Sequence, residues 1–122
     1  MTKIFYGKQS INKSDISAAI KTLKSNFLTT GPKVLEFEKE ISKTTGCKYS
    51  LSCNSGTSAI FLVALVLKLK KGDNIIVPNI NFVASFNIFS FFGCNVHLAD
   101  VDRVTGQVTP KTITECIKRK KI

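Results

Sequence analysis

Hydrophobic residues recur along the first part of the chain with the spacing of one helix face. Apolar positions three and four residues apart in the ranges 11–26 and 32–45 predict two amphipathic helices. Asn12 or Ser14 is suited to the N-cap of the first helix, and Pro32 to the first position of the second. Two helices are therefore expected before any strand.

From residue 48 onward, short apolar runs alternate with longer helical patterns. Each run is bounded by turn-forming residues, which is typical of a buried strand. Alternation at these lengths implies right-handed crossovers and a mainly parallel sheet, so the predicted fold class is α/β, with residues 1–122 as one unit. Strands are predicted at 49–53, 74–78 and 93–99, and helices at 57–69, 81–92 and 109–118.

Composition is that of an ordinary globular protein. Hydrophobic residues make up 43% of the chain and charged residues 21%, which argues against disorder. The longest apolar run, at 59–67, is about half the length of a membrane span. The residues after Met1 turn polar too soon for a signal peptide. We therefore expect a cytoplasmic protein without a membrane partner.

The cysteines offer no evidence for a metal site. None of the four forms a C-x-x-C pair, and His97 is the only histidine that could complete a ligand set. Free, reduced thiols are therefore expected.

The formal charge of +10 comes from 18 Lys and Arg against eight Asp and Glu, and only two of the basic residues are Arg. Lysine scattered singly along helices is typical of a solvated face, whereas nucleic-acid binders concentrate Arg and interleave it with aromatic residues. The pattern favours a solvated surface over a nucleic-acid partner. A small basic binding module remains the alternative.

The turn from Ser55 to Ser58 lies between a predicted strand and a predicted helix. Such a turn presents unpaired N–H groups at the positive end of the helix dipole, where phosphate binds. It has neither the dinucleotide fingerprint nor the P-loop pattern. A well-capped helix without a ligand explains the same residues equally well.

Polar or aromatic residues also follow the other predicted strands, where ligands gather in parallel sheets. Phe82 is placed either to cover a flat ligand or to join a helix core stripe. Asp100 and Asp102 fit an acid/base pair or metal ligands, but capping of a strand-end turn is the commoner use of such residues. His97 is interpreted as a hydrogen-bonded sheet residue rather than as a base.

Short motifs occur in a fixed order along the whole chain. They are Thr29-Thr-Gly-Pro32, Phe37-Glu38, Asn54-Ser-Gly-Thr-Ser-Ala59, Lys71-Gly-Asp73, Val77-Pro78, Asn81-Phe82, Gly93 and Asp100-Val-Asp102. In this order they resemble the N-terminal part of the sugar-nucleotide aminotransferases of the DegT/StrS type. The resemblance implies a pyridoxal-phosphate enzyme of the aspartate-aminotransferase fold, with this chain forming part of the large domain, a partial three-layer sandwich.

The resemblance also implies roles in cofactor binding. Gly56 and Thr57, with Ser55 beside them, would bind the phosphate of pyridoxal phosphate through backbone N–H groups and the Thr57 hydroxyl. Phe82 would stack on the pyridine ring. No catalytic residue is assigned, because in this family the Schiff-base lysine and the acidic partner of the pyridinium nitrogen lie downstream of position 122. We therefore expect a truncated chain that is inactive alone.

The substrate side of the pocket is implied in the same way. Thr29, Thr30 and Gly31 would line the sugar-nucleotide side, and Tyr6 is a further candidate. The complete enzyme is expected to be a homodimer that transfers an amino group from an amino acid, with glutamate as the donor, to a nucleotide-linked keto-sugar. A dehydratase of the same family is the alternative. The first predicted strand would be separated from the other two by strands that come later in sequence.

Overall fold

The computed structural model describes Phe5 and residues 7–122, which divide into two compact units at residue 52. Seven helices and strands occur in the described residues. The first unit contains α1 (Lys13–Leu23) and α2 (Pro32–Thr45). The second contains α3 (Gly56–Val66), β1 (Asn74–Pro78), α4 (Ala84–Phe91), β2 (Asn95–Ala99) and α5 (Pro110–Lys120).

Both helices of the first unit begin and end where local chemistry favours it. Asn12 is the N-cap of α1: its side chain accepts the N–H groups of Ser14 and Asp15 at 2.8 and 3.2 Å, and the Asp15 carboxylate accepts the Asn12 N–H. α2 begins at Pro32, as predicted, and ends at Gly46, whose φ of 72° is readily adopted only by glycine. Local chemistry therefore sets the start of α1 and both ends of α2.

The predicted strand at 49–53 is not formed. The sheet of the described chain contains β1 and β2 alone, so this segment has no strand beside it. Side chains of α2 bind it instead: the Glu38 carboxylate accepts the N–H and the hydroxyl of Ser52, both at 2.8 Å, and the hydroxyls of Ser42 and Ser50 are 2.8 Å apart. The segment up to Ser52 is thus held to α2 by polar side chains.

We predict that this attachment depends on pH through Glu38. The two bonds from Ser52, the N–H first and the hydroxyl second, hold the pKa of Glu38 below its ordinary value of 4.5. A lowered pKa means that the stabilisation is complete above pH 4.5 and is lost as the pH falls below it, through the folded-state pKa. The protection of the Ser52 amide against hydrogen exchange should be constant above pH 5 and should fall below about pH 4.5.

The matched variants are Glu38→Ala and Glu40→Ala. Glu40 lies on the same helix and makes only a long contact of 3.9 Å with Lys43. Glu38→Ala should abolish the protection of Ser52 at every pH, and Glu40→Ala should leave it unchanged. Protection that persists in Glu38→Ala would show that another group holds the segment.

The second unit is a β-α-β arrangement completed by two further helices. β1 and β2 pair in parallel, from Asn74 opposite Asn95 to Pro78 opposite Ala99. β1 has the predicted bounds, and the parallel pair confirms the α/β class. The buried side chains are mostly small, which lets helices and strands approach closely. They are Ala64, Val77, Ala84, Cys94, Ala99 and Cys116.

Candidate functional site

The N-terminus of α3 is organised by a chain of side-chain hydrogen bonds. The Ser55 hydroxyl oxygen accepts the N–H of Ser58 at 3.1 Å and caps the helix. The Ser58 hydroxyl donates to the Asn54 side-chain oxygen at 2.7 Å and lies 3.0 Å from the Ser55 hydroxyl. Because the Ser58 proton points to Asn54, Ser55 is the donor to Ser58. The Ser55 hydroxyl, predicted as a cofactor ligand, is therefore engaged within the turn, with its oxygen and its proton both used.

Two backbone donors remain at this helix end. Within the described chain the N–H groups of Gly56 and Thr57 and the Thr57 hydroxyl donate to no protein acceptor, and both residues are exposed. They occupy the first two positions of an 11-residue helix, where the dipole is positive. The structure thus brings Gly56 and Thr57 together as the donor set that an oxyanion needs.

The surroundings of Gly56 are open. A Cβ added at Gly56 would meet no atom within 4 Å, and its φ is not left-handed, so the chain does not require glycine at this position. The space beside Gly56 is therefore open to solvent or to a ligand. This open space and these donors fit the phosphate of pyridoxal phosphate.

Phe82 lies in the loop that follows β1. Its side chain is 73% exposed, whereas Phe86 is 39% exposed and Phe89 is half-buried. Phe82 and Phe86 line a cavity of about 190 Å³ at this end of the strand. Phe82 therefore stands apart from the helix core and presents an aromatic face that can cover a flat ring.

The remaining polar candidates have structural partners. The Asp102 carboxylate accepts the N–H of Val104 and the N–H and hydroxyl of Thr105, at 2.9–3.1 Å. Those three bonds confirm the use of Asp102 as a turn cap. The same bonds, from Thr105 first, lower the pKa of Asp102. The ring of His97 lies 2.9 Å from the Asn74 side-chain oxygen, as expected of a bonded sheet residue. Throughout the described residues, no group of three or more His, Cys, Asp or Glu could hold a metal ion.

The predicted substrate residues lie in the first unit, before α2. Thr29 and Thr30 are exposed, and their hydroxyls make no hydrogen bond within the described chain. Thr30 has a φ of 49°, a strained conformation for a β-branched residue. Gly31 is buried against Phe27, so packing explains that glycine. Tyr6 lies outside the described residues.

Sequence reasoning placed asparagines in these two turns but gave their side chains no role. The Asn54 side-chain oxygen accepts a hydrogen bond from the Ser58 hydroxyl. After β1, the Asn79 side chain donates to Asp100, and the Asn81 side chain accepts the Phe82 N–H. An asparagine in the turn before a predicted helix is the signal for that role, because its side chain forms local hydrogen bonds in turns.

A sequence model of the DegT/DnrJ/EryC1/StrS aminotransferase family matches residues 9–121. The chain belongs to this family. The DegT resemblance drawn from the motifs is thereby confirmed.

No helix among the described residues has the length and hydropathy needed to cross a membrane.

Solved structures of enzymes carry the same fold. The chain is 28% identical to Spr1654 of Streptococcus pneumoniae, described as a sugar aminotransferase, in its PLP form, with a TM-score of 0.82 over 95% of this chain. It is 29% identical to an aminotransferase of Psychrobacter cryohalolentis, with a TM-score of 0.81 over 93%. It is 28% identical to an E. coli GDP-4-keto-6-deoxy-D-mannose-3-dehydratase with bound hydrated PLP, with a TM-score of 0.81 over 88%.

The chain spans 29–30% of the length of each of these solved chains. Its α/β arrangement matches part of a fold type I pyridoxal-phosphate enzyme, as the DegT resemblance implied. The family uses pyridoxal phosphate.

Proposed function

We propose that this chain supplies the phosphate cradle and one ring contact of a pyridoxal-phosphate-dependent aminotransferase. Its substrate would be a nucleotide-linked keto-sugar, and its amino donor glutamate. The observation that carries the proposal is the pair of unpartnered N–H groups at Gly56 and Thr57, with open space where a side chain would stand. Bound pyridoxal phosphate would supply the electron sink for amino-group transfer.

The residues of this chain would bind and orient rather than react. Gly56 and Thr57 would hold the phosphate, and Phe82 would cover one face of the ring and exclude water from it. Thr29 and Thr30 would offer hydroxyls to the sugar-nucleotide. The nucleophilic lysine would come from the part of the enzyme that the resemblance places after position 122.

Apolar surface in the second unit supports a larger assembly. α3 is apolar on nearly every side, yet Val66 is 80% exposed and Val63 51%. A helix of that kind is normally buried. Further parts of a complete enzyme, which we propose to be a cytoplasmic homodimer, would cover it, in keeping with the 30% of a solved relative that this chain spans.

Dehydration of a nucleotide sugar is the second candidate reaction. The chain is as similar to the E. coli dehydratase as to the Streptococcus pneumoniae protein, at 28% identity each. The product of the complete enzyme with glutamate and a nucleotide-linked keto-sugar distinguishes the two: an amino-sugar supports the aminotransferase, and a deoxysugar supports the dehydratase.

Thr57→Val tests the cradle. The probe is pyridoxamine 5′-phosphate, which has no aldehyde and so cannot react with surface lysines. Loss of a hydrogen bond to a charged group costs at least about 1.5 kcal/mol, so we expect roughly tenfold weaker binding by fluorescence titration of this chain. Thr114→Val, on α5, is the control. Equal affinity of Thr57→Val and the unmodified chain would remove Thr57 from the site, and binding that follows salt steeply and is lost to heparin would favour the basic module.

A further inference from the structure

The carboxyl ends of β1 and β2 are joined by one residue, Asn79. Its N–H donates to the Ala99 carbonyl at 2.9 Å, which continues the strand pairing by one residue. Its side-chain amide donates to the Asp100 carboxylate at 3.0 Å. The same Asp100 oxygen accepts the Val101 N–H at 2.9 Å. The start of the β1–α4 loop is thus fixed to the neighbouring strand at two points.

The loop is fixed again on both sides of Phe82. The Asn81 side-chain oxygen accepts the Phe82 N–H at 2.8 Å, and the Ser85 hydroxyl donates to the Phe82 carbonyl at 3.2 Å. The Asn81 amide donates to the Ser85 hydroxyl oxygen at 3.1 Å. The backbone of Phe82 is therefore held while its ring is 73% exposed.

The backbone of Phe82 is well ordered although its exposed ring contributes little to packing. Phe82 gains little from burial within the described chain, yet four side chains order its surroundings. Two of them, Asn79 and Asn81, lie in the loop, Ser85 lies in the first turn of α4, and Asp100 directly follows β2. Ordering a loop before a ligand arrives removes that entropy cost from binding. The arrangement is therefore suited to hold an aromatic face ready for a flat partner.

We propose that Asn79 and Asp100 are positioning residues that hold Phe82 against the heteroaromatic ring of the bound cofactor. The inference rests on the proposed function and extends it to a pair that touches no ligand. Asp100 accepts from Asn79 and fixes where the loop leaves β1, and Asn81 and Ser85 fix the rest. When the Asp100 acceptor is removed, the start of the loop is held to β2 by the Asn79 N–H alone, and part of the ordering of the loop must occur on binding.

The test uses two probes on this chain. Pyridoxamine 5′-phosphate contacts both the cradle and the ring, whereas inorganic phosphate contacts the cradle alone. Phe82→Ala should weaken binding of pyridoxamine 5′-phosphate about tenfold and Asp100→Ala about fivefold, and neither should change the affinity for inorganic phosphate. Asp100→Asn keeps an acceptor oxygen for Asn79 and Val101 and should restore the affinity. Asp102→Ala, which opens only the next turn, is the matched control and should have no effect.

A double variant separates positioning from general damage. In the Phe82→Ala background, Asp100→Ala should cost nothing further, because the residue it positions is gone. A further fivefold loss there, or an equal loss of inorganic phosphate binding in Asp100→Ala, overturns the inference and leaves the proposed function standing. Unchanged binding of pyridoxamine 5′-phosphate by Asp100→Ala also overturns the inference alone. Failure of the unmodified chain to bind this probe overturns both.

Discussion

Gly56→Asp should stabilise the helix that carries it and abolish phosphate binding. An acidic residue in the first turn of α3 interacts favourably with the helix dipole, and the added side chain meets no atom within 4 Å at its Cβ. We expect a gain of about 0.3–1 kcal/mol in the free energy of unfolding. The same carboxylate occupies the space before the two N–H groups. Two unit charges 4 Å apart at an effective dielectric of 20 repel by about 4 kcal/mol, so binding of pyridoxamine 5′-phosphate should weaken at least about 100-fold.

Two further variants isolate the cause of that effect. Gly56→Asn has nearly the shape of the aspartate without its charge, so it should retain more affinity than Gly56→Asp. Ser14→Asp adds the same charge to the first turn of α1 and should leave phosphate binding unchanged. If Gly56→Asp kept the affinity of the unmodified chain, the anion would have to bind elsewhere.

Gly31→Ala should destabilise the first unit by about 1–3 kcal/mol, the usual cost of overpacking. A Cβ at this position would lie 2.9 Å from the Phe27 Cβ and 3.0 Å from the Phe27 carbonyl oxygen, and neither atom belongs to the flexible end of a side chain. Relief requires movement of the backbone between α1 and α2. The measurement is the urea midpoint of the helical circular-dichroism signal.

Gly7→Ala is the matched control for this change. A Cβ at Gly7 meets nothing within 4 Å and its φ is not left-handed, so its midpoint should not fall. An equal midpoint for Gly31→Ala and the unmodified chain would show that the loop before α2 adapts freely. Packing would then not explain why residue 31 is glycine, and the predicted contact of Gly31 with the substrate would be the remaining explanation.

The elements that the sequence predicted well are those whose bounds depend on local chemistry. α2 runs from Pro32 to Thr45 because a proline begins it and Gly46 ends it, and β1 ends at Pro78 as predicted. α4 begins at Ala84 rather than at 81, because the Asn81 and Ser85 side chains bind the backbone of Phe82. Such competition between side chain and helix cannot be read from periodicity.

The segment at 49–53 shows the opposite case. Its apolar–polar pattern is that of a strand, but a strand also needs a neighbour, and neighbours are set by parts of a chain distant in sequence. In the described chain Glu38 takes the place of that neighbour at Ser52. The prediction of a strand at 49–53 was therefore wrong.

Some features of the candidate site could be predicted from local sequence, and others depend on the pairing of distant segments. A strand, a small-residue turn and a helix predicted the donors at Gly56 and Thr57, because helix ends always leave N–H groups unpaired. The residue pattern left open whether Phe82 covers a ligand or joins the helix core, and the structure shows its ring exposed. The link from Asn79 to Asp100 joins residues 21 positions apart, and only the parallel register of β1 and β2 brings them together.

Amide chemical shifts test the central claim most directly. Titration of the ¹⁵N-labelled chain with pyridoxamine 5′-phosphate should move the Gly56 and Thr57 amide resonances most, and inorganic phosphate should compete with that shift. The Phe82 ring protons should respond to the cofactor but not to phosphate. The last turn of α5 carries Lys118, Arg119 and Lys120. If the largest shifts fell there, with the Gly56 and Thr57 resonances unmoved, phosphate binding at the N-terminus of α3 would be contradicted.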